Sequence, residues 1–350
     1  MTGEALQLPQ RLRNCVWELT LACNCNCLHC GSDAGRARPR ELDTNEALAL
    51  VAELADLGCE CITFSGGEPL MRRDWPALAS AVRDQGMQVE LITNGLLVVE
   101  QADAIQEAGF GSVTFSVDGP KDIHDHLRGM PGCLDRIWAG SAALRSRNLM
   151  VGAVTQINRL NRQYLGEIQR LLVQHDFGGW QMQITMPHGR ASDDAEQLCL
   201  RADELLDLQQ EILELRKTSR MWTQVADNIG YMSRDEPLLR SLPGQSNQFW
   251  TGCTAGLSVV GIASDGTVRG CLSLPPSFNE GNLRERSLKQ IWNDPGSFAY
   301  NRQFHEHQLK GVCAGCVFGR ICRGGCRSLA AAVSPHEPFS NPYCTFALSR

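Results

Sequence analysis

The chain has no basic block. Its 33 lysines and arginines face 39 aspartates and glutamates in 350 residues, a formal charge of −6. That balance argues against a nucleic-acid backbone as its main partner. No stretch approaches the roughly 18 to 20 apolar residues of a membrane span, and the opening MTGEALQLPQRLRN has no apolar run of signal-peptide length. No membrane is therefore expected, and a cytoplasmic location is. Only about fourteen residues precede the first strand-like run, too few for a peptide-recognition winged-helix domain. No Ser/His/Asp triad or paired-carboxylate constellation stands in a convincing context. What abounds is cysteine, 16 residues. In a reducing compartment these are not a disulfide framework, and metal binding is the reading that uses them.

Ten of the sixteen fall into two patterned groups. In WELTLACNCNCLHC, Cys23, Cys27 and Cys30 follow C-x3-C-x2-C. Three thiolates hold three irons of a 4Fe-4S cube and leave the fourth open to a ligand, which suits a cluster that acts on something. Cys25 lies inside the loop, but only the other three give the three-then-two spacing. The alternative is three thiols packed as small hydrophobes. The second group is Cys253, then Gly266 and Cys271, then C-x2-C-x5-C-x3-C at Cys313, Cys316, Cys322 and Cys326, and a distant Cys344. C-x2-C pairs also suit tetrahedral zinc, so a zinc ribbon is the competing reading. Cys15, Cys25, Cys59, Cys61, Cys133 and Cys199 show no ligand spacing.

Between the groups the chain alternates. Strand-like runs are expected at 16–21, 61–65, 89–94, 112–118, 150–156 and 180–185, separated by segments with apolar residues at three- and four-residue spacing. Asp43 or Thr44 can cap the first helix, and Gly58, Gly86 and Gly109 sit where helix ends want a left-handed residue. Six βα units with short loops imply parallel strands and right-handed crossovers, hence an α/β fold built on an open or partial (β/α)6 barrel. Its catalytic face is the rim at the strand C-terminal ends.

Polar motifs gather on that rim. The three-cysteine loop follows the first strand, SGGEPL (65–70) the second, TNG (93–95) the third, and FSVDG, with Ser116 and Asp118, the fourth. Gly66 and Gly67 permit close backbone approach to a ligand, and Glu68 and Pro69 present acceptors for a protonated amine.

In this order the motifs resemble a radical S-adenosylmethionine (radical SAM) enzyme with a C-terminal SPASM domain, over about residues 15–190 for the first part. His29 stands where that family usually has an aromatic residue. The resemblance implies that the methionine amino and carboxylate groups of S-adenosylmethionine chelate the open iron. Gly66, Gly67, Glu68 and Pro69 would hold the amine, and Ser116 and Asp118 would lie near the ribose. Asn94, Arg128, which would meet the carboxylate, and Gln156 complete the implied contacts. Reductive cleavage would give a 5'-deoxyadenosyl radical that takes hydrogen from the substrate. The resemblance also implies two auxiliary 4Fe-4S clusters, one on Cys313, Cys316, Cys322 and Cys344 and the other on Cys253, Cys271 and Cys326. The second has no cysteine in 254–270 to complete it, so an open or non-cysteine position is expected there. Leu272 follows Cys271 where sulfatase-maturating relatives have an aspartate base, which counts against that reaction.

The expected organisation is a tail (1–14), the radical SAM core (15–190), a helical connector (191–250) and the SPASM domain (251–350). The expected function is an oxidoreductase that modifies a ribosomally made peptide or protein by crosslinking, oxidation or epimerisation. Its partners would be the precursor, an electron donor such as flavodoxin or ferredoxin, and a separate leader-recognition protein if the chain does not recognise the leader itself. The alternatives are a radical enzyme for a small molecule of sugar or tetrapyrrole type, and a non-catalytic iron-sulfur carrier or sensor.

Overall fold

A computed structural model describes residues 10–219, 221–242 and 244–350. Residues 1–9 of the expected tail lie outside the described residues. Seven parallel strands pair in chain order: β1 (Asn14–Thr20), β2 (Cys61–Gly66), β3 (Gln88–Thr93), β4 (Ser112–Ser116), β5 (Val151–Ile157), β6 (Gly179–Ile184) and β7 (Trp222–Val225). The crossovers carry α1 (Thr44–Asp56), α2 (Trp75–Asp84), α3 (Val98–Ala108), α4 (Lys121–Arg128), α5 (Cys133–Arg145) and α6 (Leu165–Gln174). This is the expected α/β partial barrel with a cysteine-rich C-terminal part.

Local chemistry accounts for the helix boundaries. Asp43 Oδ1 accepts from the Glu46 amide at 2.9 Å while Glu46 Oε2 accepts from the Asp43 amide at 2.9 Å, a capping box at the start of α1. That helix buries Ala47, Leu50, Val51 and Leu54, one stripe at three- and four-residue spacing. Each large aliphatic side chain so buried contributes about 1.5–3 kcal/mol. Gly109 ends α3 at φ 71°, in the left-handed region where a residue without Cβ is unstrained. Between sheet and helices, Trp17, Phe64 and Phe110 meet edge to face at 5.9 and 6.0 Å.

Two features depart from expectation. The connector holds β7, parallel to β6, which the sequence reading missed because four residues, WTQV, are too few to show a periodicity. The expected boundary at residue 250 does not break the sheet. β8 (Val259–Ile262) pairs parallel with β1 on the side opposite β2, and β9 (Thr267–Arg269) and β10 (Gly281–Asn282) follow antiparallel, making one ten-stranded sheet. A buried carboxylate fastens this junction. Glu18 of β1 pairs with Arg38 at 2.8 Å and accepts from the Ser264 amide at 3.1 Å and hydroxyl at 2.8 Å. Among the described residues no helix is long and apolar enough to cross a membrane.

Candidate active site

The three-cysteine loop leaves β1 and is held on two sides. The amides of Asn26 and Leu28 donate to the carbonyls of Arg128 and Leu127 at 3.1 and 2.9 Å, so the loop satisfies the end of α4. From the loop after β6, Arg190 donates to the carbonyls of Cys27 and Ala34 at 3.0 and 2.7 Å. A donor faces each thiol. The Cys25 amide and Asn94 Nδ2 lie 3.5 and 3.7 Å from Cys23 Sγ, Arg128 Nη1 lies 3.7 Å from Cys27 Sγ, and the Ala34 amide lies 3.4 Å from Cys30 Sγ. The neighbouring Cys25 thiol, helped by Arg128 against burial, pulls Cys27 down to about 5. The same thiol, again against burial, pulls Cys23 down to about 7. Three sulfurs, each facing a donor, fit the donor set of a 4Fe-4S cube with one iron open. Cys25 itself interacts most strongly with Cys133, and that contact raises its pKa.

Beside the loop is a cavity of about 230 Å³. Gly66, Gly67, Asn94, Ser116, Arg128 and Gln156 line it, and the structure thus brings together six of the nine residues expected to contact S-adenosylmethionine. Glu68, Pro69 and Asp118 are buried behind that wall. Glu68 does not offer its carboxylate to an amine, because Oε1 accepts from Thr93 Oγ1 at 2.8 Å and the Leu70 amide at 3.2 Å, and Oε2 accepts from the Asn94 amide at 2.8 Å. Burial pushes it up to about 7 despite these bonds. The glycines also serve the strand junction. A Cβ on Gly67 would stand 2.2 Å from the Ala22 carbonyl oxygen, and one on Gly66 2.4 Å from that of Thr20. The amides of Gly67 and Glu68 each donate to that backbone at 2.8 Å.

Asp118 is likewise engaged by neighbouring side chains and backbone. It is fully buried, 2.5 Å from Arg128 Nη2 and 3.0 Å from His29 Nε2 through the same oxygen, while Oδ1 accepts from the Gln156 amide at 2.9 Å. Both contacts to Oδ2 have ion-pair distance without hydrogen-bond alignment. Desolvation opposes its charge, but Arg128 and His29 hold the carboxyl well below the usual carboxylate range.

A second cavity, about 420 Å³, shares Gln181 and Gln183 of β6 with the first. Cys253, Cys271 and Cys326 open into it, with Asp227 just past β7 as its one carboxylate. Cys313, Cys316, Cys322 and Cys344 line a separate, smaller cavity. Arg323 and Arg327 are buried between the groups. Arg323 Nη2 donates to the Cys253 carbonyl at 2.9 Å, Arg327 Nη1 and Nη2 reach carbonyls of Pro338 and Arg323, and neither guanidinium has a carboxylate partner among the described residues. Two buried cations without carboxylates fit anionic clusters on these thiolates, because unpaired buried charge is costly. Sequence reasoning missed Arg190, Gln181 and Gln183; Gln183 and Arg190 lie near or beyond the end of β6 and so carried the strand-end signal used for the first four strands, while Gln181 lies within the strand. Asp227 was hidden by the unrecognised β7.

Residues 17–172 match the model of the radical SAM superfamily, and residues 253–317 match that of the SPASM iron-sulfur cluster-binding domain. An AdoMet-dependent heme synthase of Methanosarcina barkeri is 30% identical, over 95% of this chain and 95% of its own. The chain belongs to the radical SAM superfamily. As a radical SAM/SPASM enzyme it is also similar to the mycofactocin maturase MftC of Mycobacterium tuberculosis, 29% identical over 93% of this chain and 81% of that one. Its fold is that of SuiB from Streptococcus suis, solved bound to the precursor peptide SuiA, with TM-score 0.73 at 15% identity over 97% of this chain and 76% of that one. In this radical SAM enzyme the superfamily implies 4Fe-4S chemistry with S-adenosylmethionine at the Cys23, Cys27 and Cys30 loop.

Proposed function

We propose that this radical SAM/SPASM enzyme acts on a tetrapyrrole, taking hydrogen from a ring side chain. The observation that carries this reading is the near full-length match, 95% of both chains, to a heme synthase. The 420 Å³ cavity lies against the first at Gln181 and Gln183, and its largely uncharged wall away from Cys253, Cys271 and Cys326, which would hold a cluster, is where a ring edge would approach the cosubstrate. When bound, the Cys23, Cys27 and Cys30 cluster supplies the electron that turns S-adenosylmethionine into a hydrogen-abstracting radical. The chain's own residues then have three tasks. Gly66, Gly67, Asn94, Ser116, Arg128 and Gln156 seat the cosubstrate, Gln183 meets both bound molecules where the cavities join, and Arg190 keeps the loop closed against β6.

Cys253, Cys271 and Cys326 would hold one auxiliary cluster, and Cys313, Cys316, Cys322 and Cys344 another. A small carrier such as flavodoxin or ferredoxin would be the reductant. Reconstituted protein is then expected to bind about twelve irons per chain, and Cys271→Ala protein closer to eight. Equal iron in the two proteins would count against the Cys253 site.

The substrate test is anaerobic incubation with S-adenosylmethionine, dithionite and iron-loaded or metal-free porphyrins bearing propionate groups, read by mass spectrometry. A changed porphyrin that accumulates with 5'-deoxyadenosine supports the reading. Unchanged porphyrins alongside active cleavage of the cosubstrate would refute it. A peptide or protein substrate, expected from the sequence, is the second reading, favoured by the likeness to a maturase. It requires a mass change in a candidate precursor under the same conditions.

A further inference from the structure

We propose that Asp118 and Arg128 form a buried charge pair that sets the reduction potential of the Cys23, Cys27 and Cys30 cluster, with Arg128 acting on the Cys27 sulfur and Asp118 limiting that action. Asp118, which acts through Arg128, is thus a positioning residue. The inference rests on superfamily membership and not on the identity of the substrate.

The geometry begins with α4. Its last carbonyls, Leu127 and Arg128, are the negative end of the helix and accept from the cluster loop at Leu28 and Asn26. Gly129 then turns the chain away at φ 59°, where a Cβ would stand 2.6 Å from the Asn26 carbonyl oxygen. Helix end and cysteine loop are therefore in backbone contact. Left alone, the negative helix end would disfavour adding an electron to a cluster beside it.

Arg128 is the cation that answers this. Its side chain is nine-tenths buried, and its two terminal nitrogens face in different directions, Nη1 towards Cys27 Sγ at 3.7 Å and Nη2 towards Asp118 at 2.5 Å. A positive N–H donor on a cluster thiolate stabilises the reduced, more negative state. Asp118 moderates that effect, because an opposite charge at 2.5 Å in a water-poor interior cancels much of the field of Arg128 beyond the pair. The pair's position is over-determined. Asp118 also contacts His29 of the loop at 3.0 Å and accepts from the Gln156 amide, and its own amide donates to His124 Nδ1 at 3.1 Å. His29 therefore ties the residue before the third cysteine to the carboxylate that steers Arg128 at the second.

Two consequences differ in sign. Removing the Arg128 charge should lower the midpoint potential, and neutralising Asp118 without changing its shape should raise it. A merely structural role would move both variants the same way, through cluster loss. The experiment is a redox titration of the reconstituted holoenzyme followed by electron paramagnetic resonance without S-adenosylmethionine, the relevant cluster being the one whose signal changes when the cosubstrate is added to a parallel sample. Arg128→Gln is expected to shift the reduction equilibrium about tenfold towards the oxidised cluster, about 59 mV for one electron, and Asp118→Asn to shift it in the opposite direction. Arg128→Lys, which keeps the charge, should stay nearer the parent than Arg128→Gln, and iron content should be unchanged. Shifts of the same sign, or no shift with iron retained, overturn the proposal. If Asp118→Asn loses its iron, the other two variants decide. Equal midpoints in Arg128→Gln and Arg128→Lys overturn the proposal, and a lower midpoint in Arg128→Gln supports it.

Discussion

Cys27→Ala protein, reconstituted anaerobically and given S-adenosylmethionine and dithionite, is expected to form 5'-deoxyadenosine on the order of a thousandfold more slowly than the parent, equivalent to ~4 kcal/mol of barrier. Of the three patterned cysteines, Cys27 alone is buried. Its sulfur faces Arg128, its carbonyl accepts from Arg190, and its thiol is held at about 5, ready to ligate. Two remaining thiolates cannot keep the cube in place, so the chemistry is lost with the cluster. The fold should survive, since removing one sulfur leaves the backbone bonds of the loop to α4 and Arg190 intact. Cys25→Ala is the matched control. Its principal partner is Cys133 at the start of α5, and it should retain most of the activity. Assaying the nucleoside by liquid chromatography in both proteins checks the assignment. Activity lost in Cys25→Ala and kept in Cys27→Ala would reverse it.

Gly67→Ala is expected to destabilise the protein by about 3 kcal/mol or more, from an overpacked contact and from backbone donors that lose their partners. The atoms in the way are the Ala22 carbonyl oxygen at 2.2 Å and the Leu21 carbonyl oxygen at 2.6 Å, both main chain, so no side chain can swing aside. Relieving the clash requires separating two backbones now joined by the Gly67 and Glu68 amides. The segment that would move leads directly into Cys23, so cluster incorporation should fall together with the urea midpoint of the apo protein. An apo midpoint equal to the parent's would show that the strand junction yields at little cost.

Part of the site was readable because it is local. Cysteine spacing within eight residues, a glycine pair after an apolar run and polar residues at strand ends are short-range patterns, and a parallel α/β topology brings successive strand ends to one rim. Gly66, Asn94 and Ser116 could therefore be placed together without coordinates, whereas Arg128 and Gln156 came only from the family resemblance. The roles of some residues could not be read in this way. Glu68 looked like a ligand group and is a buried acceptor for Thr93, Asn94 and Leu70, because only the packed structure shows which donors converge on a carboxylate. Asp118 was expected near a ribose, and only the packed structure shows that it joins His29 to Arg128, residues 89 and 10 positions away.

The sequence by itself determined the layout: three cysteines in a loop after the first strand, seven more in a C-terminal pattern, and alternating segments that make a partial barrel. Spacing along the chain decides such features, since neighbouring residues cannot separate far. The tertiary structure alone decided how the charges around those thiolates are balanced. Arg128 is turned to Cys27 by Asp118, Arg190 reaches the loop from beyond β6, and β8 joins β1 to bring Cys253 and Cys271 to the cavity beside the first site. Each of these depends on long-range pairing and on burial, which raises the strength of an electrostatic contact and the cost of leaving it unmade.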